Sequence, residues 1–234
     1  MKNKPKIGLI GGMGPFASAS FLQILLKKAA IRGAKNGDEF PEILLNSVPV
    51  TDFISDTEAL PQAEKILTER VMFLSNAGCQ KIAMICNTGH ILFPKLSTVS
   101  GGKMISLIES VKNRVMNLRF KRVGLLATKT TVRSKLYSKA FQNTDVKLIL
   151  PSQRLLDLSE TVIREEIANN NSRAAIEKLI RLTDKFIKNK DLDAVILGCT
   201  ELPLAFQNHK SDKIIDCLDT LSDSLLIDWM VTKS

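Results

Sequence analysis

Short apolar runs alternate with longer amphipathic stretches along most of the chain. The runs at 6–11, 42–47, 81–85, 122–127, 147–150, 193–197 and 213–216 are rich in Ile, Leu and Val and carry no period-2 alternation, the pattern of strands buried on both faces of a parallel sheet. Between them the segments 15–32, 61–77, 103–117, 130–142, 157–168, 172–189 and 218–231 carry apolar residues at helical spacing, several opened by Pro, Ser or Thr, which favour a helix start. Strands separated by helices predict an α/β fold with helices on both faces of a parallel sheet.

The pattern also repeats. Lys6-Ile-Gly-Leu-Ile-Gly11 matches Arg122-Val-Gly-Leu-Leu-Ala127, and Ile82-Ala-Met-Ile-Cys-Asn-Thr88 matches Ala194-Val-Ile-Leu-Gly-Cys-Thr200. Gly8 and Cys86 are 78 positions apart, Gly124 and Cys199 are 75 apart, so two halves share one layout. The expectation is two similar lobes related by a pseudo-twofold axis, each a mostly parallel sheet flanked by helices. They divide near Ser100-Gly-Gly102: residues 1–101 in the first, 102–212 in the second, and 213–234 crossing back onto the first.

In open parallel sheets, ligands bind beyond the carboxyl ends of the strands. Four segments fall there: Gly11-Gly-Met-Gly-Pro15, Cys86-Asn-Thr88, Thr128-Lys-Thr-Thr131 and Cys199-Thr-Glu201. Lobes that face each other would bring all four to one cleft. A cysteine beside free backbone N–H groups is held toward the thiolate, below its free pKa of about 8.5. A lone strand-end Cys is more often a small core residue; a pair at matched positions of a duplication reverses that balance.

Two thiols on opposite sides of one substrate suit stereoinversion at a carbon acid. One, as thiolate, takes the α-proton from one face; the other, as thiol, gives a proton to the opposite face. Asn87, Thr88, Thr128, Thr131 and Thr200 are suited to hold an α-carboxylate and the charge that develops on it, which points to a small amino acid. Glu201 orients Thr200 or Cys199, or simply favours a helix start. Cys79 and Cys217 are assigned to packing.

Composition narrows the rivals. The 234 residues are 44% hydrophobic and 24% charged, a globular profile with enough apolar material for one large domain or two small ones. A net charge of +9 raises nucleic acid as a partner, but Lys and Arg are spread along the chain and one Trp and one Tyr offer little base stacking. No apolar run approaches the roughly 20 residues that span a bilayer, and the start Met1-Lys-Asn-Lys-Pro-Lys6 lacks the apolar core of a signal peptide. The expectation is a soluble, cytoplasmic protein with neither nucleic-acid nor membrane partner. Four cysteines without a CxxC pair predict reduced thiols. His90 and His209, the only histidines, lack accompanying carboxylates at metal-ligand spacing, so no metal is expected. His90 either tunes Cys86 or packs.

Gly12-Met-Gly-Pro-Phe-Ala17 formally fits a dinucleotide fingerprint. Against that, Pro15 removes an N–H where a pyrophosphate would sit, and Asp38 and Glu39 come from a loop instead of a strand end.

Taken in order, Ile10-Gly-Gly-Met-Gly-Pro15, Cys86-Asn-Thr-Gly-His90, Gly124-Leu-Leu-Ala-Thr128 and Gly198-Cys-Thr-Glu201 resemble the aspartate/glutamate racemases, within the wider aspartate/glutamate/hydantoin racemase superfamily. The likeness covers nearly the whole chain. It implies a two-lobed α/β enzyme, usually a homodimer, working without pyridoxal phosphate or another cofactor. Cys86 and Cys199 would be its thiolate/thiol pair, with substrate contacts from Met13, Gly14, Asn87, Thr88, Thr128, Thr131 and Thr200. The chain departs from the aspartate-type pattern at Phe53, where that pattern has an Arg, and at Ala168, where it has a Lys. Two lost charge-assisted contacts, about 1.5 to 3 kcal/mol each, shift the expectation to glutamate or an uncharged amino acid, with 51–57 as the selecting loop. Other superfamily chemistries on the same cysteines, isomerisation or decarboxylation, and a silent amino-acid-binding module stay open.

Overall fold

A computed structural model describes residues 5–53, 57–170, 172–227 and 229. It resolves into two compact units, one formed by the chain up to Leu107 together with the stretch from Leu221, the other by Ile108–Thr220.

The first unit holds β1 (Ile7–Gly11), α1 (Pro15–Ile31), β2 (Ile43–Ser47), α2 (Leu60–Asn76), β3 (Lys81–Met84), α3 (Phe93–Val99) and β4 (Met104–Ile105). Its strands pair in parallel in the order β2-β1-β3-β4. From α4 (Leu107–Asn117) the chain enters the second unit: β5 (Arg122–Leu126), α5 (Lys129–Arg133), α6 (Leu136–Phe141), β6 (Lys147–Ile149), α7 (Gln153–Ile167), α8 (Arg173–Lys190), β7 (Ala194–Leu197), α9 (Leu202–Ala205), β8 (Ile214–Asp216) and the start of α10 (Cys217–Leu225). Here too the pairing is parallel, in the order β6-β5-β7-β8. The duplicated sequence therefore folds into two sheets of one topology, with β1 corresponding to β5 and β3 to β7.

The central strands β1, β3, β5 and β7 are buried almost throughout, whereas β2 and β6, at the sheet edges, are half-buried. An edge strand has one side free of a neighbour, so the expectation of full burial holds only for the interior strands. No helix among the described residues is long and apolar enough to cross a membrane.

Several boundaries differ from those read in the sequence, each for a local reason. The helix expected from 103 starts at Leu107, because Met104 and Ile105 add a strand beside Ile82 and Ala83. That pairing carries the first unit past the Gly101–Gly102 turn. The helix expected over 130–142 breaks where Lys135 takes a left-handed φ of 56°. Ser152 accepts the N–H of Leu155 and starts α7 four residues ahead of 157. The return to the first unit comes after Thr220 instead of near 213, since Ile214–Asp216 pairs with β7. Once there, Asp223 meets Lys28 and Arg32 at 2.7 and 3.1 Å, and the carbonyls of Leu225 and Leu226 accept from Lys81 and Arg32. The last helix ends at Leu225; 228 and 230–234 lie outside the described residues.

One glycine fixes the loop after β1. Gly12 has φ 92°, and a Cβ there would sit 2.4 Å from the backbone N of Val48 and 2.5 Å from its O. An L side chain in that conformation is strained and the obstacle is backbone, which cannot rotate away. Gly12→Ala is expected to cost about 2–6 kcal/mol, read as a fall in the urea midpoint at unchanged slope. A midpoint equal to the parent's would refute this account of the loop.

Candidate active site

Because β1 lies beside β3, the loops that follow them are neighbours. Pro15 occupies the first turn of α1 and Gly14 its N-cap, with an extended φ of −138°; the Gly14 carbonyl accepts both the N–H and the hydroxyl of Ser18. The Ser18 hydroxyl also takes the N–H of Gly12 at 3.0 Å. The run of glycines is thus used for close packing of this turn. Asp38 and Glu39 precede β2, the opposite end of the strand from the one a ribose-binding acid would occupy, and Glu39 accepts the N–H groups of Lys35 and Asn36.

Cys86 lies just beyond the end of the neighbouring strand. The residue is 5% exposed, and its Sγ accepts the N–H of Gly89 at 3.3 Å, a contact that favours the anionic sulfur. Gly89 packs closely on Met84: a Cβ would lie 2.9 Å from the Met84 sulfur, which would have to shift. The Nδ1 of His90 is 2.8 Å from the Cys86 carbonyl, and its Nε2 accepts the N–H of Leu107 at 2.9 Å. Burial pulls the imidazole pKa down to about 4, against a smaller upward pull from the Cys86 carbonyl. The ring is neutral at physiological pH, with the proton on Nδ1. Asn87 and Thr88 are buried. Met13 packs on the apolar cluster that contains Cys86, Val48, Leu92 and Phe53, so Phe53, at 2% exposure, is a wall residue of the same cluster. Of the 51–57 loop, 54–56 lie outside the described residues.

In the second unit β5 and β7 are neighbours in the same way. Thr128 caps α5: its hydroxyl accepts the Thr131 N–H at 3.1 Å and lies 3.0 Å from the Thr131 hydroxyl. Cys199, 4% exposed, directs its thiol to Glu201 Oε2 at 3.0 Å, and the Thr200 hydroxyl donates to the same oxygen at 2.9 Å. Burial raises the Glu201 pKa, and the bonds from Cys199 and Thr200 partly oppose it. A thiol and a carboxyl in contact can pass one proton between them.

The structure therefore groups Met13, Gly14, Cys86, Asn87 and Thr88 at the strand ends of one unit. Thr128, Thr131, Cys199, Thr200 and Glu201 are grouped at the equivalent ends of the other. Ala168, by contrast, is exposed at the C-cap of α7. Sequence reasoning missed Tyr137. It is 1% exposed, packs where a Cβ on Gly198 would meet its ring at 3.1 Å, and has its hydroxyl pKa raised by burial first and then by Cys217 and Cys199. Nothing in the local sequence marks it. None of the four cysteines is in a disulfide. Cys79 packs in the core of the first unit, where burial pushes its thiol up; Cys217 is also buried, its sulfur 3.7 Å from the Cys199 carbonyl.

The sequence profile described as Asp/Glu/hydantoin racemase matches residues 10–222. The broad specificity amino-acid racemase of Bacillus subtilis is 21% identical over 232 residues, 97% of this chain and 100% of that protein. A glutamate racemase from Carnobacterium is 26% identical over 195 residues, 74% of this chain and 65% of its own length. Among solved structures, an aspartate racemase homologue from Pyrococcus horikoshii superposes with a TM-score of 0.80 at 28% identity, covering 95% of this chain and 97% of the other. The aspartate racemase of Picrophilus torridus gives 0.79 at 27%, covering 95% and 94%.

Proposed function

Because the chain belongs to the Asp/Glu/hydantoin racemase family, we propose that it racemises a small amino acid, without a cofactor, by exchanging the α-proton between Cys86 and Cys199. The observation that carries this reading is topological. Each cysteine follows the strand that pairs with the opening strand of its sheet, β3 beside β1 and β7 beside β5, in two sheets of identical order. A duplication that keeps one thiol at the equivalent place in both copies supplies two proton carriers of the same chemistry, which is what inversion at a single carbon needs.

In the forward direction the thiolate of one cysteine removes the α-proton and the thiol of the other delivers a proton to the opposite face; the reverse direction exchanges their roles. The α-carboxylate takes up the charge of the carbanion, held by Asn87, Thr88 and the hydroxyls of Thr128, Thr131 and Thr200. Each donor preorganised toward that charge is worth about 100-fold or more in rate.

The substrate we favour has an uncharged side chain. Phe53 supports it: a buried aromatic ring in the cluster around Cys86 offers no cation to a side-chain carboxylate and would leave one unpaired, at about 1–3 kcal/mol or more. The name of the Bacillus subtilis relative, a broad specificity amino-acid racemase, fits the same choice.

The test is a panel of L-amino acids in heavy water, followed by proton NMR for loss of the Cα signal and by chiral analysis for the D form. Exchange with inversion is expected, faster for neutral side chains than for aspartate. Exchange without inversion, or turnover of a dicarboxylate to an isomer with no Cα washout, would replace racemisation with another chemistry on the same cysteines. Binding that raises the melting temperature with no exchange at all would leave a silent binding protein.

A further inference from the structure

The mechanism above uses Cys86 and makes no use of His90, yet His90 is one of two histidines in the chain and is 3% exposed. Its two ring nitrogens are both committed. Nδ1–H donates to the carbonyl of Cys86, four residues back, and Nε2 accepts the N–H of Leu107, the first residue of α4. A helix's first N–H groups have no partner within the helix, so the imidazole satisfies one of them. Its ring also stacks on Phe93 at 5.3 Å between centroids and 4° between planes. The backbone N–H of His90 bonds the Asn87 carbonyl at 3.0 Å, which closes a tight turn over 87–90.

That turn aims the Gly89 N–H at the Cys86 sulfur. The carbonyl and the sulfur of Cys86 are therefore gripped from the same five-residue segment, one by His90 and the other by Gly89. An N–H on a sulfur favours its anionic form, so the direction of the Gly89 N–H bears on how easily the sulfur carries charge.

We propose that His90 is a positioning residue for Cys86: by bridging the Cys86 carbonyl and the Leu107 amide it holds the 86–90 turn so that the Gly89 N–H faces the sulfur. The role is that of a fixed neutral strut and involves no proton transfer by the ring. It rests on the reading of Cys86 as a working thiol, but it can be measured on the thiol alone.

Three substitutions dissect the strut. His90→Phe keeps the ring volume and the stack on Phe93 while removing both polar bonds. His90→Asn keeps an N–H where Nδ1 stands and loses the reach to Leu107, and His90→Gln does the converse. The rate of alkylation by iodoacetamide is followed against pH in the full chain, resolved for each cysteine by mass spectrometry. Accessibility scales the plateau of that curve, whereas its midpoint reports the thiolate. In His90→Phe the Cys86 midpoint is expected to rise by about one pH unit, a ~10-fold smaller thiolate fraction at any pH below it, as loss of one hydrogen bond to a charged group implies. The Cys199 midpoint stays in place. His90→Asn is expected to recover part of the shift, and it carries the test if the Phe variant does not fold. With a substrate in hand, kcat falls ~10- to 100-fold with KM little changed. A Cys86 midpoint that does not move in a folded His90→Phe or His90→Asn protein overturns the proposal, as does an equal shift at Cys86 and Cys199. Because alkylation needs no substrate, these outcomes are independent of whether the protein racemises anything.

Discussion

Cys86→Ala and Cys199→Ala are each expected to lower racemisation by about 1,000-fold or more in both directions, although each removes only one of two thiols. The effect is symmetric because every turnover needs one base and one acid: the group that abstracts in one direction must donate in the other. What distinguishes the variants is the partial reaction they keep. On the proposed two-thiol scheme, with Cys86 gone the thiolate of Cys199 would still reach the α-proton of one enantiomer and could return a solvent deuteron to the same face. With Cys199 gone, Cys86 would do the same for the other enantiomer. Each variant should therefore wash deuterium into one enantiomer only, the two variants choosing opposite ones, with no net inversion. Both positions are nearly buried, and trimming a thiol to a methyl group costs about 1 kcal/mol of packing, so the folded proteins remain available for assay. A single variant with full turnover both ways would remove the two-thiol scheme, and washout into both enantiomers by one variant would point to a single mobile base.

The parts of this site that a reader of the sequence can find are those written locally. Strand-end cysteines show because apolar runs stop at them, and the duplication shows because Gly8 and Gly124, Cys86 and Cys199 recur at nearly equal spacing. The interior strands are legible since burial on both faces leaves no polar alternation. Partners chosen across the chain leave no such trace. His90 binds Leu107 17 positions on, through a ring that reads equally well as packing. The need for glycine at 12 comes from the backbone of Val48, a neighbour only because β1 pairs with β2. Two residues of β4 are too few to show a period, and the left-handed turn at Lys135 follows no residue preference, so the segments they interrupt look helical throughout. The different companions of the two cysteines belong to the same class of long-hidden detail: matched positions in a repeat suggest matched surroundings, and the surroundings have diverged.

That divergence leads to the second large effect. Cys86 has a backbone N–H on its sulfur, whereas Cys199 points its S–H at the carboxyl of Glu201. For Cys199 to act as a base its proton has to leave, and Glu201 is in contact and can take it, leaving thiolate beside carboxylic acid with no change in the charge of the pair. For Cys199 to act as an acid, a second proton on the pair is required, so the pair titrates as a unit. Glu201→Gln keeps an oxygen to accept from Thr200 and Cys199 but cannot store a proton, and turnover should fall by about 100-fold or more. Stability should move the other way. Burial raises the folded-state pKa of Glu201 above its ordinary 4.5, so between those two values the unfolded chain binds fewer protons than the folded one and stability declines as pH rises. Gln carries no such cost. The variant's melting temperature relative to the parent should thus be least favourable below pH ~4.5 and climb as pH rises through the window to a plateau above it. Melts from pH 4 to 8 beside turnover assays separate the two roles: a variant that keeps parental kcat removes Glu201 from the proton path, and one whose relative stability falls with rising pH shows that the carboxylate is wanted as a charge.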